Sequence, residues 1–311
     1  MTTRRDLFPY IAGAAGLTAA PVSLAAATQS KNEPQLRRVS YRSARTGKDR
    51  DYFVYLPPGH AAKKDWPVML FLHGNGERGD GKGELDYVLA HGPLYEAWCL
   101  KRDLPFIIIS PQLPMFGQGE IDYIKNRTPT QIPKRNAQAP DPREDERGVR
   151  RENAMQGTAR DDKLPDGPEG PVEGWSLIAD ELIAMVDNTL RDFRGDSRRV
   201  YLTGLSYGGF GSWYLAAQHP EKFAAVAPVV GYGHPSHADP IARAKLPVWC
   251  FSGGRDPVVE AKYFYAVFDR LEALGHKSVR LTNHEDLGHF TWTRVYGGED
   301  LYLWLLTHSR P

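Results

Sequence analysis

The chain has 311 residues, 41% of them hydrophobic and 11% aromatic, enough for one packed core with decorations rather than two domains. Charged residues make up 25% with a formal net charge of +1, and nothing there marks a nucleic-acid binder, which would normally show a basic stripe or a strongly basic domain. Two cysteines, Cys99 and Cys250, are too few for a disulfide framework and lack metal-type spacing, so both are expected as free thiols packed like small hydrophobes.

Residues 1–27 read as an export signal, cleaved near Ala27, rather than as part of the fold. Arg4 and Arg5 precede a mildly apolar Ala/Gly-rich stretch, and Ala25-Ala26-Ala27 supplies small residues for cleavage. The run Thr3-Arg4-Arg5-Asp6-Leu7-Phe8 resembles a twin-arginine signal, which implies a periplasmic or secreted protein. Pro9, Pro21 and several glycines argue against a stable membrane-spanning helix.

The remainder, 28–311, reads as one α/β domain. Val39–Ala44 and Asp51–Leu56 alternate around Thr46-Gly47-Lys48-Asp49 and predict an antiparallel hairpin. Short apolar runs follow at Val68–Leu72, Phe106–Ser110, Val200–Thr203, Ala224–Val230 and Val248–Phe251, with a last strand at Ser278–Thr282. Runs this short and apolar on both faces mark a parallel sheet covered by helices on both sides. Helical spacing predicts helices over Trp175–Phe193, Val258–Leu274 and Asp300–Thr307. The expectation is a mostly parallel central sheet of about eight strands with an antiparallel start. One segment breaks the rhythm: about 114–172 holds eight prolines, mixed charges and few large apolar residues, and is expected to be a disordered surface insertion or, on the functional reading, a flap.

The strongest motif is Gly204-Leu205-Ser206-Tyr207-Gly208, a G-x-S-x-G between an apolar strand and a plausible helix. So tight a turn leaves no room for side chains beside the serine, lifts the Ser206 hydroxyl clear of the backbone, and aims the first amides of the helix at the reacting carbon. In the α/β-hydrolases that this elbow resembles, the nucleophile is followed in the chain by an acid and then a histidine. Asp256, in Gly253-Gly254-Arg255-Asp256-Pro257, is the candidate acid, although Asp before Pro is also a helix cap; Glu260 and Asp286 are weaker substitutes. His289, in Glu285-Asp286-Leu287-Gly288-His289, is the candidate base. The loop His73-Gly74-Asn75-Gly76-Glu77-Arg78-Gly79 is where a second oxyanion donor belongs. The Asn75 backbone N–H is expected to act there with that of Tyr207, and His73 to brace the loop.

Several motifs mislead. Gly74 to Gly79 spells a dinucleotide fingerprint, yet more glycines follow at Gly81 and Gly83 where a helix should begin, and the acid about 20 residues on is missing. Gly76 to Lys82 spells most of a phosphate loop, but Gly83 stands where Ser or Thr must bind magnesium. His284-Glu285 places its second histidine, His289, five residues on rather than four, and His234 with His237 reads as a loop near the site mouth. No metal or cofactor is expected.

Together the His-Gly-x-Gly-Glu-Arg-Gly loop, the Gly-Leu-Ser-x-Gly-Gly elbow, Gly-Gly-x-Asp and Gly-His resemble bacterial esterases of the α/β-hydrolase superfamily. The resemblance is to the phospholipase/carboxylesterase and polyhydroxybutyrate-depolymerase-like branches, which include predicted peptidases, and covers roughly 36–308 apart from the insertion. It implies a triad of Ser206, Asp256 and His289, an acyl-enzyme mechanism and a small-molecule ester substrate. Tyr207 stands where Met or Gln often follows the nucleophile, which leaves its amide untouched. Only some 16 residues, Gly231–Leu246, separate the sixth and seventh strands, and so small a lid is expected to suit soluble or saccharide-linked acyl esters. A peptidase acting on short peptides with the same triad, and a non-catalytic binding protein on this scaffold, are the alternative readings.

Overall fold

A computed structural model describes residues 32–136, 153–157 and 159–311; the expected export signal lies outside them. Eight strands form one sheet in the order β1-β2-β4-β3-β5-β6-β7-β8. They are β1 (Gln35–Arg42), β2 (Asp49–Leu56), β3 (Trp66–Leu72), β4 (Ile107–Ser110), β5 (Gly195–Leu205), β6 (Ala225–Val229), β7 (Val248–Gly253) and β8 (Val279–His284). β1 runs antiparallel to β2, and β2 to β4, while every later pairing is parallel. The antiparallel start and parallel body agree with the expected sheet.

Side-chain alternation along the central strands feeds two cores. Val68, Leu70 and Leu72 of β3 point to one face, where the helix Ala179–Asp192 contributes Leu182, Met185 and Val186 and the helix Tyr265–Ala273 contributes Val267 and Leu271. Met69 and Phe71 point to the other, against Leu85, Leu94, Trp292, Tyr296 and Leu305. A strand buried on both faces has no polar side to alternate, which is why these runs read as continuously apolar. Both cysteines are buried and unbridged. No helix of the described residues is long and apolar enough to cross a membrane.

Two expectations need correction. The predicted helix Val258–Leu274 starts late, with a single 3-10 turn at Ala261–Tyr263 and an α-helix only from Tyr265. Glu260 is extended (φ −63°, ψ 137°), and the Asp256 carboxylate takes the amides of Val258 and Val259 that a helix would have left free. The polar insertion is not loose where it is described. Its first part carries a helical turn at Asp122–Lys125, and both parts are hydrogen-bonded to the domain body; 137–152 and residue 158 lie outside the described residues. Those bonds run from polar side chains to backbone, so order there needs little apolar burial.

Candidate active site

The loops after β3, β5, β7 and β8 converge at the carboxyl end of the sheet, where crevices form in open α/β folds. Ser206 caps β5 and opens the helix Tyr207–Gln218 with φ 53° and ψ −118°, a conformation costly for any side chain. Backbone packing enforces it. A Cβ on Gly208 would lie 1.8 Å from the Leu72 carbonyl oxygen, so the helix start rests directly on the end of β3. The Ser206 amide donates to the Val229 carbonyl at 2.9 Å, tying the turn to β6 as well.

The three candidates for proton transfer meet. His289 Nε2 lies 3.0 Å from Ser206 Oγ, and its Nδ1 lies 2.8 Å from Asp256 Oδ2. Since Asp256 can only accept, Nδ1 carries the proton and Nε2 is left to accept from the serine. Asp256 is fully buried, and its other oxygen accepts from Val258 N at 2.8 Å and Val259 N at 3.0 Å. The capping and orienting readings of this aspartate therefore both hold, one on each oxygen. Asp286 is instead paired with Arg294 and Glu260 with Lys262.

The loop after β3 runs alongside the serine: a Cβ on Gly74 would lie 3.7 Å from Ser206 Cβ and 2.8 Å from Leu205. It continues into a 3-10 turn, Asn75–Glu77, and not the long helix a dinucleotide or phosphate loop would open. His73 is buried; its Nε2 accepts from the Leu113 amide at 2.9 Å, so Nδ1 carries the proton and donates to the Gly74 carbonyl at 2.6 Å. Because a trans peptide is planar, fixing the Gly74 C=O also fixes the direction of the Asn75 N–H. Likewise the Ser206 carbonyl accepts from Gly209 N and Phe210 N, which turns the Tyr207 N–H outward from the helix start. The Asn75 side chain takes no part in this pair of amides, being spent on Arg78 through Oδ1 and on Tyr123 through Nδ2, at 2.7 Å to the Tyr123 hydroxyl.

Polar groups around the loop are unevenly charged. Burial opposes ionisation of Glu77, but the His73 and His91 imidazoles beside it prevail and hold its carboxyl below the usual range. Desolvation lowers the Arg78 guanidinium below its usual range, and Tyr207 and Glu173 partly restore it. His234 and His237 do not form a metal pair. His237 donates from Nε2 to the Pro168 carbonyl at 2.7 Å and accepts the His234 amide on Nδ1, bracing its loop against the insertion. Among the described residues no group of His, Cys, Asp and Glu could hold a metal ion.

The insertion borders the site on two sides. Its first part supplies Tyr123 over Asn75, and Arg127, which donates to the carbonyls of Gly76 (2.7 Å) and Arg78 (2.6 Å). Its second part reaches the acid loop, where Gln156 donates to the Asp256 carbonyl at 2.6 Å and accepts from Ala261 N at 2.8 Å.

Comparison with known proteins follows this geometry. A solved thermostable esterase superposes with a TM-score of 0.57 at 24% identity, over 88% of this chain and 63% of its own. The chain has the α/β-hydrolase fold. A family model described as "Putative esterase" matches residues 142–273 of the chain, a stretch holding both Ser206 and Asp256. The "Putative esterase NocK" of Nocardia uniformis subsp. tsuyamanensis is 34% identical over 103 residues, 29% of this chain and 30% of that relative. A dipeptidyl aminopeptidase IV homologue from Bacteroides ovatus superposes almost as well, with a TM-score of 0.55 at 13% identity over 89% of this chain and 36% of its own. The chain thus spans less than two thirds of the length of each of these relatives.

Residue-level reasoning passed over Arg78, Tyr123, Arg127 and Gln156. Arg78 lies inside a motif that was read for its glycines. The other three sit in the insertion, where no periodicity points anywhere, and only their positions in space reveal them.

Proposed function

We propose that this α/β-hydrolase cleaves carboxylic esters through a covalent acyl-enzyme on Ser206. The observation that carries the reading is the unbroken chain Ser206 Oγ–His289–Asp256, at 3.0 and 2.8 Å, beside a loop that passes the serine at Gly74. His289 Nε2 takes the serine proton as Oγ bonds to the ester carbonyl carbon, and the oxyanion that forms is bound by the N–H groups of Asn75 and Tyr207. Collapse breaks the bond to the alcohol, which leaves with the proton from His289. Water, deprotonated by the same imidazole, then releases the acid. The matching family description and the esterase among its structural neighbours support an ester over an amide. The peptidase neighbour shows that the fold itself does not choose. Small soluble acyl esters, including saccharide-linked ones, are the substrates we assign, and the twin-arginine-like residues 3–8 favour action outside the cytoplasm.

The test is labelling with a fluorophosphonate, alongside turnover of matched ester and amide substrates. Wild type should be labelled and hydrolyse the ester faster, and Ser206→Ala should do neither, with a rate loss of at least about 10⁴-fold. Equal labelling of the Ser206→Ala variant would refute the nucleophile, and faster amide turnover would favour the peptidase.

A further inference from the structure

Arg78 has no exposed surface and, among the described residues, meets no carboxylate within bonding distance. Its Nε donates to Asn75 Oδ1, Nη1 to the Pro114 carbonyl at 3.0 Å, and Nη2 to the Glu173 carbonyl at 2.8 Å. Its guanidinium carbon lies 5.0 Å from the centre of the Tyr207 ring. A buried cation whose hydrogen-bond acceptors are all neutral is an expensive arrangement for stability alone, because no carboxylate bonds to it and the Glu173 charge only partly offsets its desolvation. Its four neighbours are not scattered. Asn75 and Tyr207 are the two residues whose amides the proposed mechanism assigns to the oxyanion, and Pro114 and Glu173 are the residues where the insertion leaves the domain body and returns to it.

We propose that Arg78 is the positioning residue of the oxyanion hole: it locks the Asn75 and Tyr207 sides to each other, adds a fixed positive charge behind their N–H groups, and ties both ends of the insertion to that lock. The proposal rests on the serine-esterase reading. The planar fork matters, since three acceptors in three directions and a ring face are satisfied at once, which an ammonium on a flexible stem does not reproduce. A preorganised charge in a dry setting acts on the oxyanion as it forms and less on the bound ester, so its loss belongs in kcat.

The experiment uses the full chain and compares wild type with Arg78→Lys and Arg78→Gln, each normalised by fluorophosphonate titration of Ser206. The readouts are kcat and KM for a p-nitrophenyl ester and the Kd of a trifluoromethyl ketone, which forms an oxyanion adduct. Arg78→Lys should lose about 10-fold and Arg78→Gln about 10²-fold in kcat, with KM within about 3-fold. Ketone affinity should fall in step with kcat/KM. A purely structural role would leave kcat per titrated site unchanged while lowering the Tm, and that result overturns the proposal, as does a kcat loss without the matching loss of ketone affinity. Should the Arg78 variants not fold, Asn75→Ala removes the acceptor of Nε together with the bond to Tyr123 and keeps the backbone N–H, and Tyr123→Phe is the control for the second loss. A kcat loss of about 10-fold there supports the lock, and an unchanged kcat overturns it. Wild type that neither labels nor hydrolyses esters brings down the nucleophile reading and this proposal together. Wild type that does both while Arg78→Gln keeps its kcat overturns this proposal alone.

Discussion

Ser206 and Tyr207 are held by backbone packed on backbone, whereas Asn75 is held by side chains, some from its own loop and some from the insertion. On the elbow side the helix start rests on the Leu72 carbonyl and the serine amide is tied to β6, so nothing there can move without the sheet moving. On the loop side His73, Arg78, Arg127 and Tyr123 hold the turn through hydrogen bonds, two of these residues being on the insertion. Such contacts can be changed one at a time, each for a modest free energy. On the proposed mechanism the nucleophile is the rigid reference, and the oxyanion loop is the adjustable part measured against it.

The comparison can be broken most severely at Asp256, whose two oxygens serve different masters. Asp256→Asn should keep an acceptor for Val258 N and Val259 N while lowering kcat by about 10⁴-fold, because His289 loses the partner that sets its tautomer. Asp256→Ala should match that loss and also lower stability by about 1–2 kcal/mol as the two amides lose their acceptor. Equal stability of the two variants in thermal melts would show the second oxygen to be idle.

Gly208→Ala tests the backbone half. Its new Cβ would meet the Leu72 carbonyl at 1.8 Å, so stability should fall by about 3 kcal/mol and labelling of Ser206 should fail in the protein that still folds. A variant of wild-type Tm and activity would mean that the elbow is softer than its packing implies.

His237 sharpens the loop side through pH. Burial holds its imidazole down to about 4, against the pull of its bond to Pro168, while the unfolded chain titrates at the ordinary imidazole value. Between those values the unfolded chain binds a proton that the folded one refuses. Stability is therefore lost as pH falls from ~6.5 towards 4, by about 3 kcal/mol at most, and above ~6.5 this residue contributes no pH dependence. Thermal melts at pH 7 and 4.5 should show a larger loss for wild type than for His237→Gln; the same loss in both would sink the assignment.

The smallest expected effect is at Tyr123, more than half exposed, whose hydroxyl accepts from Asn75 Nδ2. Tyr123→Phe should lower kcat only about 2–5-fold and leave the Tm unchanged. A loss as large as that of Arg78→Gln would shift the weight of the oxyanion loop from the core to the insertion.

Local chemistry made the sheet, the elbow at Ser206, and the acid and base at Asp256 and His289 legible in the chain. Each is a short-range pattern: an apolar run buried on both faces, glycines at the two offsets where a Cβ would strike Leu72, an aspartate or histidine just past a strand end. The glycines of the loop after β3 were legible for the same reason, since Gly74 passes beside the serine. What surrounds Asn75 was not. Arg78, Tyr123, Arg127 and Gln156 act through partners as far as about 100 residues away, and polar bonds between segments leave no period in either of them. The late start of the helix after Asp256 belongs with them, because a carboxylate already committed to His289 also captured the amides of Val258 and Val259. The chain by itself pointed to the side chains proposed to react, because that depends on neighbours in sequence; only the tertiary structure decided what braces the proposed oxyanion loop, because that depends on which distant carbonyls fall within reach of one buried guanidinium.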